Sequence, residues 1–410
     1  MSLVDANSAP AEESAERLPL LPVSLYVHVP FCLSKCAYCD FTSEVGDTRR
    51  HASYVDAVLF AASHWASYDL MGDVPTLYFG GGTPTILGEE LVRLVRGLRD
   101  AIGLRDDAEI TVETNPDTTD ERLVAALVAA GVNRFSLGIQ SLDDSVLAIL
   151  GRRHDADRAR EAARILAESG QRFSADLICG VPGQSEASWR ETLAGAIATG
   201  AGHVSVYPLA IEDGTPLDAT IEAGALPAPD PDVAASMMLI AQKTLREAGI
   251  ERYEVANYAR PGSESRHNSA YWTGGAYLGI GPGAASMLPA EEFATVASSE
   301  GWGLAAGCPA RTRFTTTHDI SAFVRRPLAA PDAIEHLTAQ ETTREDVMLG
   351  MRLTRGVSAE QVEAAGLTAV LESLAADGLV ERAGPAESWR ATERGWLLGN
   401  RVFGRIWAGE

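Results

Sequence analysis

Three thiols stand within eight residues, Cys32, Cys36 and Cys39, in the stretch YVHVPFCLSKCAYCDF that runs from Tyr26 to Phe41. With three and then two residues between them, they can converge on one centre if the segment loops. Thiolates are soft ligands that suit zinc, or iron and sulfur. A closed zinc site and an ordinary ferredoxin cluster each take four ligands, whereas the nearest further cysteine, Cys179, lies far along the chain. A [4Fe-4S] cluster on three thiolates would leave one iron open to a chelating amino and carboxylate pair, and reduction through that iron could cleave the cofactor bearing them. The competing readings are buried free thiols, or a zinc knuckle that borrows His28.

Other residues with chemical potential recur at fixed places in a repeating pattern. From Leu25 onward short apolar runs alternate with amphipathic stretches, as in strand and helix units around a parallel sheet. Six strands are expected, beginning near Leu25, Thr76, Glu109, Arg134, Phe173 and His203. Helical spacing fills the gaps at Tyr54 to Tyr68, Glu89 to Ile102, Glu121 to Ala130, Ala156 to Glu168 and Glu186 to Thr199. In a βα barrel the C-terminal ends of the strands build the active site. The cysteine loop follows the first strand and the run Gly80, Gly81, Gly82, Thr83, Pro84 follows the second. Glu113 and Asn115 end the third, Gln140 lies beyond the fourth, Asp176 belongs to the fifth, and Tyr207 to Ala210 close the sixth. Singly, the glycines read as a tight turn and the carboxylates as helix caps. Gathered on one rim, they point to a ligand site.

After Ala210 the barrel pattern fades. Tyr253 to Ser286 carries H-N-x-x-Y-W, formed by His267, Asn268, Tyr271 and Trp272. A histidine beside aromatic rings offers a porphyrin an axial nitrogen and flat walls, and equally reads as an ordinary core cluster. From about 330, helices followed by a short strand pair suggest a winged-helix-like module. It lacks a basic recognition helix, which favours a substrate lid or docking surface over DNA binding. The domain plan is a disordered leader at 1–20, the barrel with the following histidine segment at 21–290, a connection at 291–329 and an accessory domain at 330–410.

A formal net charge of -22 disfavours nucleic acid and anionic membrane surfaces as partners, beyond a transient membrane contact. Five cysteines, three of them clustered, do not make a disulfide framework, and cluster thiols must stay reduced, so a cytoplasmic protein is expected. No basic start with an apolar core and no apolar run of membrane-spanning length is present.

The cysteine spacing, with aromatic Tyr38 before the third thiol, resembles the signature of radical S-adenosylmethionine (SAM) enzymes. The whole phrase is similar to the branch that holds the oxygen-independent coproporphyrinogen III oxidases and the HemW-type haem chaperones. The oxidases continue with a further cysteine two residues after the third, where this chain has Phe41, as the chaperones do. The resemblance implies an α/β fold: a partial (β/α)6 radical SAM barrel with a smaller helical, winged-helix-like C-terminal domain. It implies that Cys32, Cys36 and Cys39 hold a [4Fe-4S] cluster. It further implies that Tyr26, Tyr38, Gly81, Gly82, Thr83, Glu113, Gln140, Arg152, Asp176 and Ala210 contact SAM. Carboxylates can pair with the cofactor's hydroxyls and cationic groups, and Arg152 and the glycine amides with its acceptor atoms. His267, within H-N-x-x-Y-W, is implied as the haem residue, while Ala285 replaces a histidine usual in this phrase. Two functions follow: a chaperone that binds haem and passes it to an apo-haemoprotein such as a respiratory enzyme, or an oxidase that decarboxylates coproporphyrinogen III propionates.

Anaerobic reconstitution should load about four irons and four sulfides, and Cys32→Ala, Cys36→Ala or Cys39→Ala should each lose the brown absorbance. Stoichiometric zinc in place of iron would contradict this reading.

Overall fold

The computed structural model describes residues 22–45, 48–68, 70–303, 309–384 and 387–410. The leader expected at 1–20, and Cys308, lie outside the described residues.

All six expected strands form. β1 (Ser24–Val29), β2 (Val74–Gly81), β3 (Leu104–Thr114), β4 (Arg134–Gln140), β5 (Arg172–Cys179) and β6 (His203–Pro208) lie side by side, parallel, in chain order. The crossovers between them carry α1 (His51–Ala66), α2 (Glu89–Ala101), α3 (Glu121–Ala130), α4 (Ala156–Glu168) and α5 (Glu186–Ala198). Side-chain caps start three of these helices, where Asp120, Asp155 and Ser185 each accept a first-turn amide.

Strand side chains alternate between two faces, and here the two faces differ in chemistry. Leu25, Val27 and Val29 of β1 join the main apolar core with Tyr54 and Val58 of α1 and Leu94 and Leu98 of α2. The opposite parity is polar and in register, with Tyr26 beside Tyr78, Tyr78 beside Thr111 and Thr111 beside Arg134. One turn nearer the C-terminal ends, Glu113 pairs with Ser136 and Ser136 with Ser174. The barrel interior is therefore lined with hydrogen-bonding groups.

The sheet does not stop at β6. β7 (Glu251–Arg252) and β8 (Asn257–Ala259) extend it antiparallel on that side. On the other side β9 (Tyr277–Ile280) pairs parallel with β1, followed by antiparallel β10 (Ala285–Pro289), β11 (Arg311–Thr315) and β12 (Ala333–Leu337). The order is β12-β11-β10-β9-β1-β2-β3-β4-β5-β6-β8-β7, and its two ends do not pair, so the barrel is partial. This corrects the connection expected at 291–329. That segment contributes β11 to the sheet and Phe293, Val296, Phe314 and Phe323 to the main core, so the barrel unit continues to Leu337.

Beyond Leu337, helices at Ala339–Gly350, Ala359–Ala364 and Thr368–Ala376 precede a hairpin of β13 (Val380–Ala383) and β14 (Ser388–Ala391). Two capping boxes start the first two helices, on Thr338 with Glu341 and on Ser358 with Gln361. This unit has its own core, including Val362, Leu371, Leu374, Trp389 and Ile406. Trp396 ties it to the barrel: the ring joins the main core, Nε1 donates to the Val255 carbonyl at 2.8 Å, and the Arg252 guanidinium lies 4.2 Å from the ring centroid. Trp396→Ala should cost about 3–5 kcal/mol. Denaturant titration should then show the C-terminal unit unfolding before the barrel, and one unshifted transition would contradict the tether.

Candidate functional site

The cysteine loop leaves β1 and is laced onto the glycine turn by backbone. Gly82 N–H donates to the Val29 carbonyl at 2.8 Å and Thr83 N–H to the Phe31 carbonyl at 2.7 Å. A Cβ on Gly82 would lie 2.5 Å from the Phe31 oxygen and 3.0 Å from Cys32 Sγ, so only glycine lets the strands approach this closely. Farther along, Ala37 N–H donates to the Leu150 carbonyl at 3.1 Å, and the Ala37 carbonyl accepts from Leu217 N–H at 2.8 Å. Ala37 and Tyr38 pack on a satellite core of Val146, Leu150, Ile178, Val181, Leu209 and Leu217.

Cys32, Cys36 and Cys39 are free, partly exposed thiols on one wall of a cavity of ≈ 490 Å³. Thr83 Oγ1 donates to Cys32 Sγ at 3.8 Å, and the Arg152 guanidinium donates to Cys36 Sγ at 3.2 Å; burial raises the Cys32 thiol, and the Thr83 bond opposes that rise. His28 cannot complete a zinc knuckle. Its Nε2 donates to the Thr42 carbonyl at 2.8 Å, which leaves Nδ1 to accept from the Tyr26 hydroxyl at 3.0 Å. Among the described residues no three His, Cys, Asp or Glu side chains close on a single ion. The loop is an open three-thiol face, which fits a cluster that presents an iron to the cavity.

Tyr38, Gly81, Gly82, Thr83, Glu113, Gln140, Arg152, Asp176 and Ala210 line the same cavity. Gln140 has φ 65°, a left-handed backbone unusual outside glycine, beside the register shift that ends β4. Tyr26 stands one ring behind the wall, stacked on Tyr78 at 6.1 Å between centroids.

His267 is placed differently. An exposed imidazole is expected of an open haem ligand, but this one is 2% exposed, stacked on Tyr78 at 4.8 Å. Nδ1 bonds with Thr76 Oγ1 at 2.8 Å and Nε2 with the Tyr271 hydroxyl at 2.9 Å. Burial pushes its pKa down to about 3, so the ring is neutral. The H-N-x-x-Y-W helix, Arg266–Trp272, thus turns its histidine into the barrel interior, with both nitrogens engaged.

A family model described as the radical SAM superfamily matches residues 26–194, and one described as the HemN C-terminal domain matches residues 337–398. The protein named heme chaperone HemW from Mycobacterium tuberculosis is 36% identical over 400 residues, spanning 94% of this chain and 95% of that one. The protein of the same name from Bacillus subtilis is 32% identical over 394 residues, spanning 93% and 98%. The chain belongs to the HemW family. The solved structure of coproporphyrinogen III oxidase (HemN) from Escherichia coli, a radical SAM enzyme, superposes with a TM-score of 0.76 over 95% of this chain and 91% of that one. At 24% identity this shows a shared fold. Membership of the radical SAM superfamily implies a [4Fe-4S] cluster and SAM.

In this HemW-family cavity two carboxyl groups are held without a salt bridge among the described residues. Asp176 accepts from Ser136 at 2.7 Å, Ser205 at 2.7 Å and Ser174 at 3.2 Å, and burial raises its pKa against those bonds. Glu113 accepts from the Tyr78 hydroxyl at 2.7 Å and Gly81 N–H at 3.2 Å. Burial, with a smaller push from Asp176, moves Glu113 up to about 7. Tyr78 and the three serines escape motif reading. Their signal was the shared strand parity, with a serine facing inward on three successive strands.

Both carboxylates suit the hydroxyls and sulfonium charge of SAM. Glu113→Ala or Asp176→Ala should weaken SAM binding about tenfold or more while leaving iron content intact. Because burial raises Glu113 to about 7, a cationic ligand that pairs with its carboxylate must displace a proton. Calorimetric affinity should therefore fall as pH drops from about 8 to about 6. Glu113→Gln should flatten that slope, and an unchanged slope would remove Glu113 from the ligand shell.

Proposed function

We propose that the chain is a haem chaperone: it binds haem and hands it to an acceptor apo-haemoprotein, while carrying a SAM-coordinated [4Fe-4S] cluster. Cys32, Cys36 and Cys39 would hold the cluster. Glu113, Asp176, Gln140 and the amides of Gly81 and Gly82 would hold SAM. When bound, the cluster supplies an electron and a Lewis-acidic iron. Thr83 and Arg152 would position the ligating sulfurs through donated hydrogen bonds, and Tyr78 and Gly81 orient the Glu113 carboxyl group.

The observation that carries the reading is Phe41. It stands two residues past the third thiol, 58% exposed at the lip of the cavity, where the oxidases have a further cysteine. Sequence similarity along nearly the whole chain to proteins named heme chaperone HemW supports the same choice. The oxidase alternative has the shared fold and the match to the HemN C-terminal domain model, and lacks the further cysteine at position 41. The reading puts the protein in a reducing cytoplasm, and no described helix is long and apolar enough to cross a membrane.

Incubation with coproporphyrinogen III, SAM and reductant under anaerobic conditions should release no carbon dioxide, while haem titration should give a saturable Soret change. SAM-dependent conversion to protoporphyrinogen IX would replace the chaperone with the oxidase.

A further inference from the structure

A haem-binding protein needs an open iron ligand, and the residue implied for that task is sealed. The other histidines narrow the choice. His28 has both nitrogens bonded. His154 and His203 are buried, with Nε2 bonded to the Ile139 carbonyl and the Tyr253 hydroxyl. His51 is buried against Phe31 at 4.9 Å between centroids. His64 Nε2 pairs with Glu300 at 2.6 Å, and His336 is half-buried, with Nδ1 bonded to Thr312 at 2.9 Å.

His318 differs from all of these. It is exposed, on the turn between β11 and the short helix Ile320–Arg325. Nδ1 lies 2.7 Å from Thr42 Oγ1, and no hydrogen bond engages Nε2 among the described residues. If the Thr42 hydroxyl takes the Nδ1 proton, the Nε2 lone pair faces outward on a fixed ring, the arrangement that ligating histidines use. Gly283, at φ 70°, makes room for the ring: a Cβ there would lie 2.9 Å from Nδ1.

The threonine that holds the ring belongs to the cysteine loop. Thr42 follows Phe41, and the cysteine loop exposes Leu33 at 40%, Phe41 at 58% and Val45 at 63%. These are three of the eight large hydrophobic side chains exposed among the described residues, gathered within thirteen positions. Lys35 lines the cavity mouth in the same loop and makes no ion pair among the described residues, leaving its ammonium for a carboxylate.

We propose that His318 Nε2 is the axial ligand to haem iron in this chain, with the porphyrin plate lying over the apolar lip of the cysteine loop and a propionate reaching Lys35. Ligation forms one bond, from the imidazole lone pair to iron, and requires no oxidant or reductant. The inference rests on the haem-chaperone reading and adds the place and chemistry of its site. It also sets the haem beside the thiol face, so that loading of one can influence the other.

The test is haem titration of the full chain with reconstituted cluster, read by the Soret band and by iron content. The parent should show a histidine-ligated spectrum, which His318→Ala should lose and added imidazole should restore. Thr42→Val, which removes the Nδ1 acceptor, should weaken affinity about tenfold or more. A parent that binds no haem would overturn the chaperone reading and this site together. A parent that binds haem with a His318→Ala spectrum identical to its own would overturn this site and leave the chaperone reading standing. Loss of haem in His318→Ala without imidazole rescue would also overturn it, because the histidine would then act only through the fold.

Discussion

The site depends on two strands coming closer than side chains allow. Gly82 and Thr83 donate their amides to the carbonyls of Val29 and Phe31, so the end of β2 is bonded to the chain just before the first thiol. Backbone bonds to Ala37 fix the middle of the same loop. The thiol face is thus set by main-chain geometry, and the side chains between the cysteines stay free for the lip. Leu33, Lys35 and Phe41 can differ in chemistry without moving Cys32 or Cys36.

Below the thiols, the interior solves a second problem. Parallel sheets are normally apolar on both faces, yet here one face must meet a polar, charged ligand. The chain meets this by parity: outward positions build the core with the helices, and inward positions carry hydroxyls that satisfy Asp176 and Glu113. The two acids are prepared to different degrees. Three serine hydroxyls stabilise the charge on Asp176, whereas Glu113 has one phenol and one amide and is pushed up to about 7.

Much of this was legible in the chain. The six parallel strands were readable because each is a short apolar run and the first five are each followed by a helical stretch, and the cysteine loop and Gly80 to Pro84 fell at strand ends as expected. What followed Ala210 was harder. β9 to β12 are four or five residues long, and their partners, starting with β1, are hundreds of residues away or separated by loops. Such strands have no local crossover signal, so 291–329 read as a connection. The orientation of His267 was unreadable for a related reason. A seven-residue helix with polar and aromatic residues on every side does not declare which side is buried, and Thr76, Tyr78 and Tyr271 decide it only in three dimensions.

The position of β1 sets the order in which the molecule can be completed. Its edge away from β2 is closed by β9, with Ser24 opposite Tyr277 and Val27 opposite Ile280. As the chain emerges from the ribosome, β1 to β6 can pair in sequence, but that edge stays open until residues beyond Ile280 arrive. Pairings of such high sequence separation form late and slowly. During that interval the strand that feeds the cysteine loop has an unpaired edge, open to water, to an insertion partner or to another nascent chain. Completion of the cofactor-bearing half is thereby tied to synthesis of the half that follows it.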